Sequence, residues 1–301
     1  MDVAVTGSSG MIGTALVAEL RAAGHRVRPL VRREPVGPDE LRWDPAAGTI
    51  DAAGLAGIDA AVHLAGEGIG DRRWTAAQKR RIMESRTRGT AVLTEALADL
   101  DPKPAVLLSG SAIGIYGDGG DEVLTEDSPS RGEGFDAQVA RAWEAAARPA
   151  VDAGIRTAFL RTGIVQSPTG GALARMLPLF RLGLGGPIGG GHQWWPWISI
   201  DDEVGAIRHL LTADVHGPVN LVSPNPVTNA EFTKTLARVL HRPAVLPIPL
   251  LGPAVLLGRE LATSLLGDSA RLQPARLLAS GYEFRHPELE GALRHLLDRP
   301  A

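Results

Sequence analysis

The sequence predicts an α/β fold: a doubly wound parallel sheet carrying a smaller, mostly helical C-terminal lobe. Three observations predict it. A glycine-rich turn sits between a strand pattern and a helix pattern at the start of the chain. Strand and helix patterns then alternate through the first half, as a parallel sheet covered on both faces requires. After Arg161 the alternation gives way to segments rich in Gly, Pro and Trp. The division expected is 1–163 with about 200–222 for the sheet domain, and 164–199 with 223–301 for the smaller lobe.

The elements follow in order. Asp2 to Thr6 reads as a short buried strand, and Met11 to Ala23 as a helix with Ile12, Leu16 and Leu20 on one face and Gly24 as its stop. Strands are expected at 26–31, 41–43, 58–64, 105–109 and 155–161. Helices are expected at 75–100, bent near Gly89, and at about 135–153, after a glycine-rich loop over 110–134. Asp201 to Thr212 reads as a helix and Pro218 to Val222 as a strand. From Thr228 onward the pattern is helical, broken by prolines.

The chain has 301 residues, a formal charge of -3 and no cysteine. The charge gives no global attraction to nucleic acid or to an anionic membrane. Without cysteine there are no disulfides, thiolate nucleophiles or Cys-based metal sites. The eight histidines show no metal-binding spacing, so no metal is expected. The apolar stretch Leu246 to Gly258 contains Pro247, Pro249 and Pro253 and is too short to span a bilayer. With the first strand opening at residue 2, no targeting peptide is expected ahead of the fold, and the expected location is cytoplasmic.

Thr6-Gly7-Ser8-Ser9-Gly10-Met11-Ile12-Gly13 has the spacing of a dinucleotide-phosphate loop. Gly7 permits the tight turn, Gly10 lets the backbone approach a pyrophosphate, and Gly13 allows close helix packing. Ser9, Met11 and Ile12 lie where free N–H groups and the positive end of the helix dipole meet phosphate. An NAD site usually closes its second strand with an acid for the ribose 2′-hydroxyl. Here that strand ends Val31-Arg32-Arg33. A guanidinium fork suits a 2′-phosphate, so NADP(H) is the expected cofactor, with Arg32 ahead of Arg33.

With these residues in hand, the chain resembles the extended short-chain dehydrogenases/reductases, Rossmann-type relatives of sugar-nucleotide epimerases and dehydratases. The resemblance rests on the phosphate loop, His63-Leu-Ala-Gly66, Ser109-Gly-Ser-Ala-Ile-Gly-Ile-Tyr-Gly117 and Trp197-Ile-Ser-Ile-Asp-Asp202. More narrowly it is similar to an atypical subgroup called "epimerase family protein". That likeness lies in Leu160-Arg-Thr-Gly-Ile-Val165, Gly170-Gly-Ala-Leu, Gly189-Gly-Gly-His-Gln-Trp-Trp-Pro-Trp197 and Gly281-Tyr-Glu-Phe-Arg-His-Pro287. The resemblance implies that Leu64, Ala65, Gly66, Ser109, Gly110, Arg161, Thr162, Gly163 and Ile164 line the cofactor site. It also implies that Arg86 faces the cofactor, that Trp43 and Asp44 approach the adenine, and that Ser111 makes a polar catalytic contact. Relatives often dimerise through the two long helices, which would make the chain a homodimer.

One departure stands out. Active relatives carry Tyr with Lys four residues later, the Lys tuning the phenol for acid/base work. The tyrosines here are Tyr116 and Tyr282, followed at that spacing by Gly120 and His286. Registering Glu144 on the family's helix puts Asp136 at the Tyr position and Ala140 at the Lys position. Tyr116 and Asp136 are therefore the substitute acid candidates. Gln193, Trp194, Trp195 and Trp197 form either an aromatic wall of a substrate pocket or a plug between the lobes. The expected function is an NADP(H)-dependent oxidoreductase or epimerase-like enzyme acting on an unidentified small molecule. The alternative is a non-catalytic NADP(H)-binding sensor or regulatory protein.

Overall fold

The computed structural model describes residues 1–249, 251, 254–255 and 258–299. Residues 250, 252, 253, 256 and 257 of the apolar stretch Leu246 to Gly258 lie outside the described residues. No helix among the described residues is long and apolar enough to cross a membrane.

The central sheet has eight strands in the order β12-β8-β6-β5-β1-β2-β3-β4. They are β1 (Asp2–Thr6), β2 (Arg26–Val31), β3 (Leu41–Asp44), β4 (Thr49–Ile50), β5 (Ala60–His63), β6 (Val106–Ala112), β8 (Arg156–Thr162) and β12 (Gly217–Leu221). All neighbours run parallel except β4, which closes the edge antiparallel to β3. Successive side chains of a strand face opposite ways, so each strand feeds two cores. Val3 and Val5 pack with Leu16 and Leu20 of α1 (Met11–Ala22) and with Ile207 and Leu210 of α7 (Ile200–Leu210). Ala4 joins Leu93 and Leu97 of α3 (Ala76–Asp99) on the other face. The sheet is doubly wound, as expected from the alternation.

The long helix expected at 135–153 is two: α4 (Phe135–Ala146) and α5 (Arg148–Asp152). Pro149 in the first turn of α5 explains the break, since proline has no N–H to continue the α4 ladder. α3 runs unbroken through Gly89.

A second core joins α6 (Gly171–Arg181), α8 (Asn229–Leu240) and the helix Leu289–Leu296, through Leu173, Leu177, Phe232, Leu236 and Leu293. The boundary between lobes is less clean than the sequence suggested. β9 (Ile164–Ser167) pairs in parallel with β11 (Trp197–Ser199), and Val165 and Ile198 belong to the sheet's own core, as does Leu277 of the tail. The tail also returns to the sheet domain as β14 (Arg271–Leu272), parallel to β7 (Val123–Leu124).

Candidate functional site

Strand order reverses at β1, flanked by β2 on one side and β5 on the other. That switch point is where open α/β sheets leave a crevice at the carboxyl ends of their strands. The phosphate loop and the ends of β5 and β6 lie there. Thr6 is level with His63, and His63 with Ser109.

The phosphate loop is built by contact. Gly7 has φ +69°, and a Cβ there would lie 2.8 Å from the Ala65 nitrogen. A Cβ on Gly13 would stand 2.1 Å from the Gly7 carbonyl oxygen, so the helix seats on the turn's own backbone. Gly10 is the N-cap of α1, with no side-chain cap and no acid in the first turn. Ser9 and Gly10 are exposed, with Met11 and Ile12 half-buried. The helix therefore presents an uncapped positive end to the crevice, a ready anion site. Met11 also meets the second lobe: a Cβ on Gly170 would lie 3.0 Å from its sulfur.

Behind the loop, Thr6 Oγ1 accepts from the backbone N–H groups of Leu64 and Ala65, at 3.1 and 3.2 Å. Its own proton is then free for His63 Nδ1, 2.8 Å away, which leaves the His63 Nε2–H to donate to Thr90 Oγ1 at 3.0 Å. Burial, followed by the charge of Arg86, pulls His63 down to about 3, so it is a neutral strut and not an acid. The Arg86 guanidinium is 9% exposed, lies 4.8 Å from the Trp143 ring and donates to the Glu67 carbonyl at 2.8 Å. Burial lowers it to about 10, partly countered by Glu67. It sits under the turn after β5, where a Cβ on Gly66 would meet its Cζ at 3.1 Å.

At the end of β2 the two arginines separate. Arg33 forms a fork with Glu40, at 2.8 and 2.5 Å, which brings the Glu40 carboxyl down to about 2. Arg32 is exposed and has no hydrogen-bond or ion-pair partner among the described residues.

The next layer is a polar chain. Ser111 Oγ donates to Glu144 at 2.7 Å, and Arg161 pairs with both oxygens of that carboxylate at 2.9 and 3.1 Å. Arg161 also donates to the Tyr116 hydroxyl at 2.9 Å, and Tyr116 donates to Asn220 at 2.7 Å. Burial works against the Arg161 charge, and Glu144 outweighs it. One residue further along β8, Thr162 donates to the buried Glu203 of α7 at 2.9 Å.

A cavity of about 510 Å³ opens beside the start of α4, lined among others by Trp74, Phe135, Asp136, Ser264 and Asp268. It joins the sheet domain to the tail.

A family model described as "NAD dependent epimerase/dehydratase family" matches residues 3–222, well over half the chain. The chain belongs to that family. A second model, a domain of unknown function (DUF1731), matches residues 248–296. Relatives called epimerase family protein include Mb2239 of Mycobacterium bovis, 44% identical over 99% of this chain and 98% of that protein. Another is human SDR39U1, 43% identical over 99% of this chain and all of that protein. A crystal structure of human SDR39U1 with NADPH superposes with a TM-score of 0.92 at 40% identity, covering 99% of both chains. A nucleoside-diphosphate sugar epimerase from Corynebacterium glutamicum gives 0.81 at 40% identity, over 99% of this chain and 58% of that one.

Within this family frame several expected residues take other places. Tyr116 is 2% exposed with its phenol tied to Asn220 and Arg161, and burial raises its pKa; it is an anchor in the wall and offers no open acid. Ser109 is fully buried with an unpartnered hydroxyl, and Gly110 lies against Trp143. Ser111 donates its hydroxyl hydrogen to Glu144, so toward a ligand its oxygen is left as a hydrogen-bond acceptor. The Arg161 side chain turns back to Glu144, leaving half-buried Thr162, Gly163 and Ile164 at that edge.

The tryptophan segment does not line this cavity. Trp195 is 3% exposed and stacks at a tilt on Phe232, 5.2 Å between centroids, and Trp197 is 1% exposed with its indole N–H on the Asn225 carbonyl. Gln193 donates to the carbonyls of Ile188 and Leu266, and Trp194 to Asp121. Trp195 and Trp197 pack in the second core, which makes them structural. Trp43 is likewise buried, edge-on to His63, while Asp44 caps its own turn.

The structure also gathers one group the spacing of histidines did not foresee. Ligand atoms of Asp201, His286 and His295 lie within 4.8 Å of one another. The two imidazoles stack at 4.4 Å with planes 25° apart. A metal must lie near both ring planes, and near-parallel rings share no such point, so the group reads as a contact of the Asp201 carboxylate with the His295 ring, 3.3 Å apart.

The sequence reading missed Asp268 and Trp74 as cavity residues. Trp74 lies just before the helix expected at 75–100, and nothing near it in the sequence ties it to the tail.

Proposed function

We propose that this chain is an NADP(H)-dependent oxidoreductase or epimerase-like enzyme acting on a small carbonyl or alcohol. The observation that carries the cofactor is Arg32: an exposed, unpartnered guanidinium at the end of β2, where an NAD site would hold an acid. The uncapped start of α1 and the backbone-tight Gly7 and Gly13 fit a pyrophosphate. The human relative solved with NADPH supports the same choice. When bound, the nicotinamide supplies hydride transfer; the protein supplies orientation and the proton. Ser111 and Glu144 fix the wall of the crevice, and Asp136 faces the cavity from the position that the family resemblance gives to tyrosine.

The test is calorimetric titration with NADPH and NADH. Arg32→Ala should weaken NADPH by roughly 10- to 100-fold, the worth of charge-assisted hydrogen bonds, with NADH little changed. Equal losses for both cofactors refute the assignment. Arg33→Ala should matter less, because Arg33 is held by Glu40.

A second reading has its own support. Ala140 is fully buried at the place of the family's lysine, so the usual proton path is missing, as it would be in a non-catalytic NADP(H)-binding sensor. A broad panel of aldehydes and ketones with NADPH separates the two: turnover of any member removes the sensor reading.

A further inference from the structure

Asp136 is 8% exposed and lies in the first turn of α4, and its carboxylate has no hydrogen bond or ion pair to any described residue. Its side chain fills the space beside two glycines: a Cβ on Gly114 would lie 2.5 Å from one carboxylate oxygen, and one on Gly134 would lie 2.6 Å from the other. It opens onto the 510 Å³ cavity, and Asp268 opens onto the same cavity from the tail. Between them the lining is aromatic, with Trp74 and Phe135 edge-to-face at 5.0 Å. Ser264 adds a buried hydroxyl with no partner.

Two ionised carboxylates in such a pocket, with no donor for Asp136, are costly. The other charged groups around it do not relieve this. Lys79 lies over the Phe135 ring at 5.1 Å and pairs with Glu260 at 2.5 Å. Arg259 lines the rim, and Asp118 adds a further negative charge toward Asp268. Neither cation hydrogen-bonds to Asp136 or Asp268.

We propose that Asp136 and Asp268 act as one acid–base unit across this cavity, holding a single proton for the oxygen of a bound carbonyl or alcohol. The proposal rests on the oxidoreductase reading above. With a reduced nicotinamide bound to supply hydride to the carbonyl carbon, the pair would give its proton to the carbonyl oxygen. The pair is left fully ionised and recovers its proton from solvent. In the alcohol-oxidising direction the pair accepts the proton. Burial, then the charges of Asp136 and Asp118, raises Asp268 to about 6, in keeping with a proton retained near neutrality. The tail module, whose family description assigns it no function, thereby supplies half of the proton site.

The test is carbon-detected NMR of full-length protein labelled with [4-13C]aspartate and free of nucleotide, with Asp136→Asn and Asp268→Asn. One carboxyl of the pair should hold its proton to about pH 6, and its midpoint should fall by about a unit or more when the other residue becomes Asn. Independent titration of both in the ordinary carboxylate range, unmoved by either substitution, overturns the proposal. A second arm uses NADPH with the carbonyl panel. Each single variant should lose about 100-fold or more in kcat and shift the pH limb, with NADPH affinity held within about twofold. An Asp268→Asn protein that keeps the wild-type rate and pH profile also overturns it. Should NADPH bind and no carbonyl turn over, the oxidoreductase reading fails, while the NMR arm alone decides whether the proton is shared.

Discussion

Glu203 lies in the first turn of α7, fully buried, with one oxygen held by Thr162 and the other, Oε2, unpartnered. Burial raises its carboxyl from 4.5 to about 8, against a smaller lowering by the Thr162 hydrogen bond. The acid binds its proton more tightly when folded. Its contribution to stability is therefore intact below pH 4.5, falls between 4.5 and about 8, and is flat above. The gap of about 3.5 pH is worth at most roughly 5 kcal/mol. Glu203→Gln removes the charge and keeps an acceptor for Thr162. Its amide nitrogen, seated where Oε2 finds no partner, costs about 1–3 kcal/mol at every pH. The two stability curves should therefore cross. In urea titrations the variant should be the weaker protein at pH 5 and the stronger one at pH 8.5. Other groups, His63 among them, titrate alike in both proteins and cancel in the difference. Parallel curves from pH 5 to 8.5 would show that Glu203 is already ionised in the fold, and the reasoning would fail.

Three further outcomes follow from the geometry. Trp195→Ala should cost about 3–5 kcal/mol of stability by thermal or urea unfolding, with NADPH affinity unchanged, because the indole packs on Phe232 in the second core. Tyr116→Phe should cost about 1–3 kcal/mol through the orphaned Asn220 and Arg161, again without loss of cofactor binding in calorimetry. Gly13→Ala should abolish measurable NADPH binding, since its methyl group would stand 2.1 Å from the Gly7 oxygen and force the phosphate loop apart.

The sheet domain was readable because its signals are local. The short buried strand at Asp2–Thr6, the apolar face of α1 and the spacing of Gly7, Gly10 and Gly13 each sit within a few residues. Local pattern also misled. The tryptophans at 194–197 stayed open between pocket wall and plug, because aromatic density does not say which side of a strand meets α8. Pro149 was a legible break that the helix pattern overrode. Glu203 follows Asp201 and Asp202, and a run of acids at a helix start reads as a solvated cap; only tertiary burial sets it apart. Asp268 had no signal at all, because its relation to Asp136 exists only once the tail has crossed back to α4.

That crossing sets an order of events during synthesis. The phosphate loop and the ends of β1, β2, β5 and β6 leave the ribosome well before the tail does. The wall that Ser264 and Asp268 give the chamber beside Phe135 is added only when the tail folds back. A chain that stops before the tail would leave Asp136 without that wall, and under the proposal above its proton site would be half built.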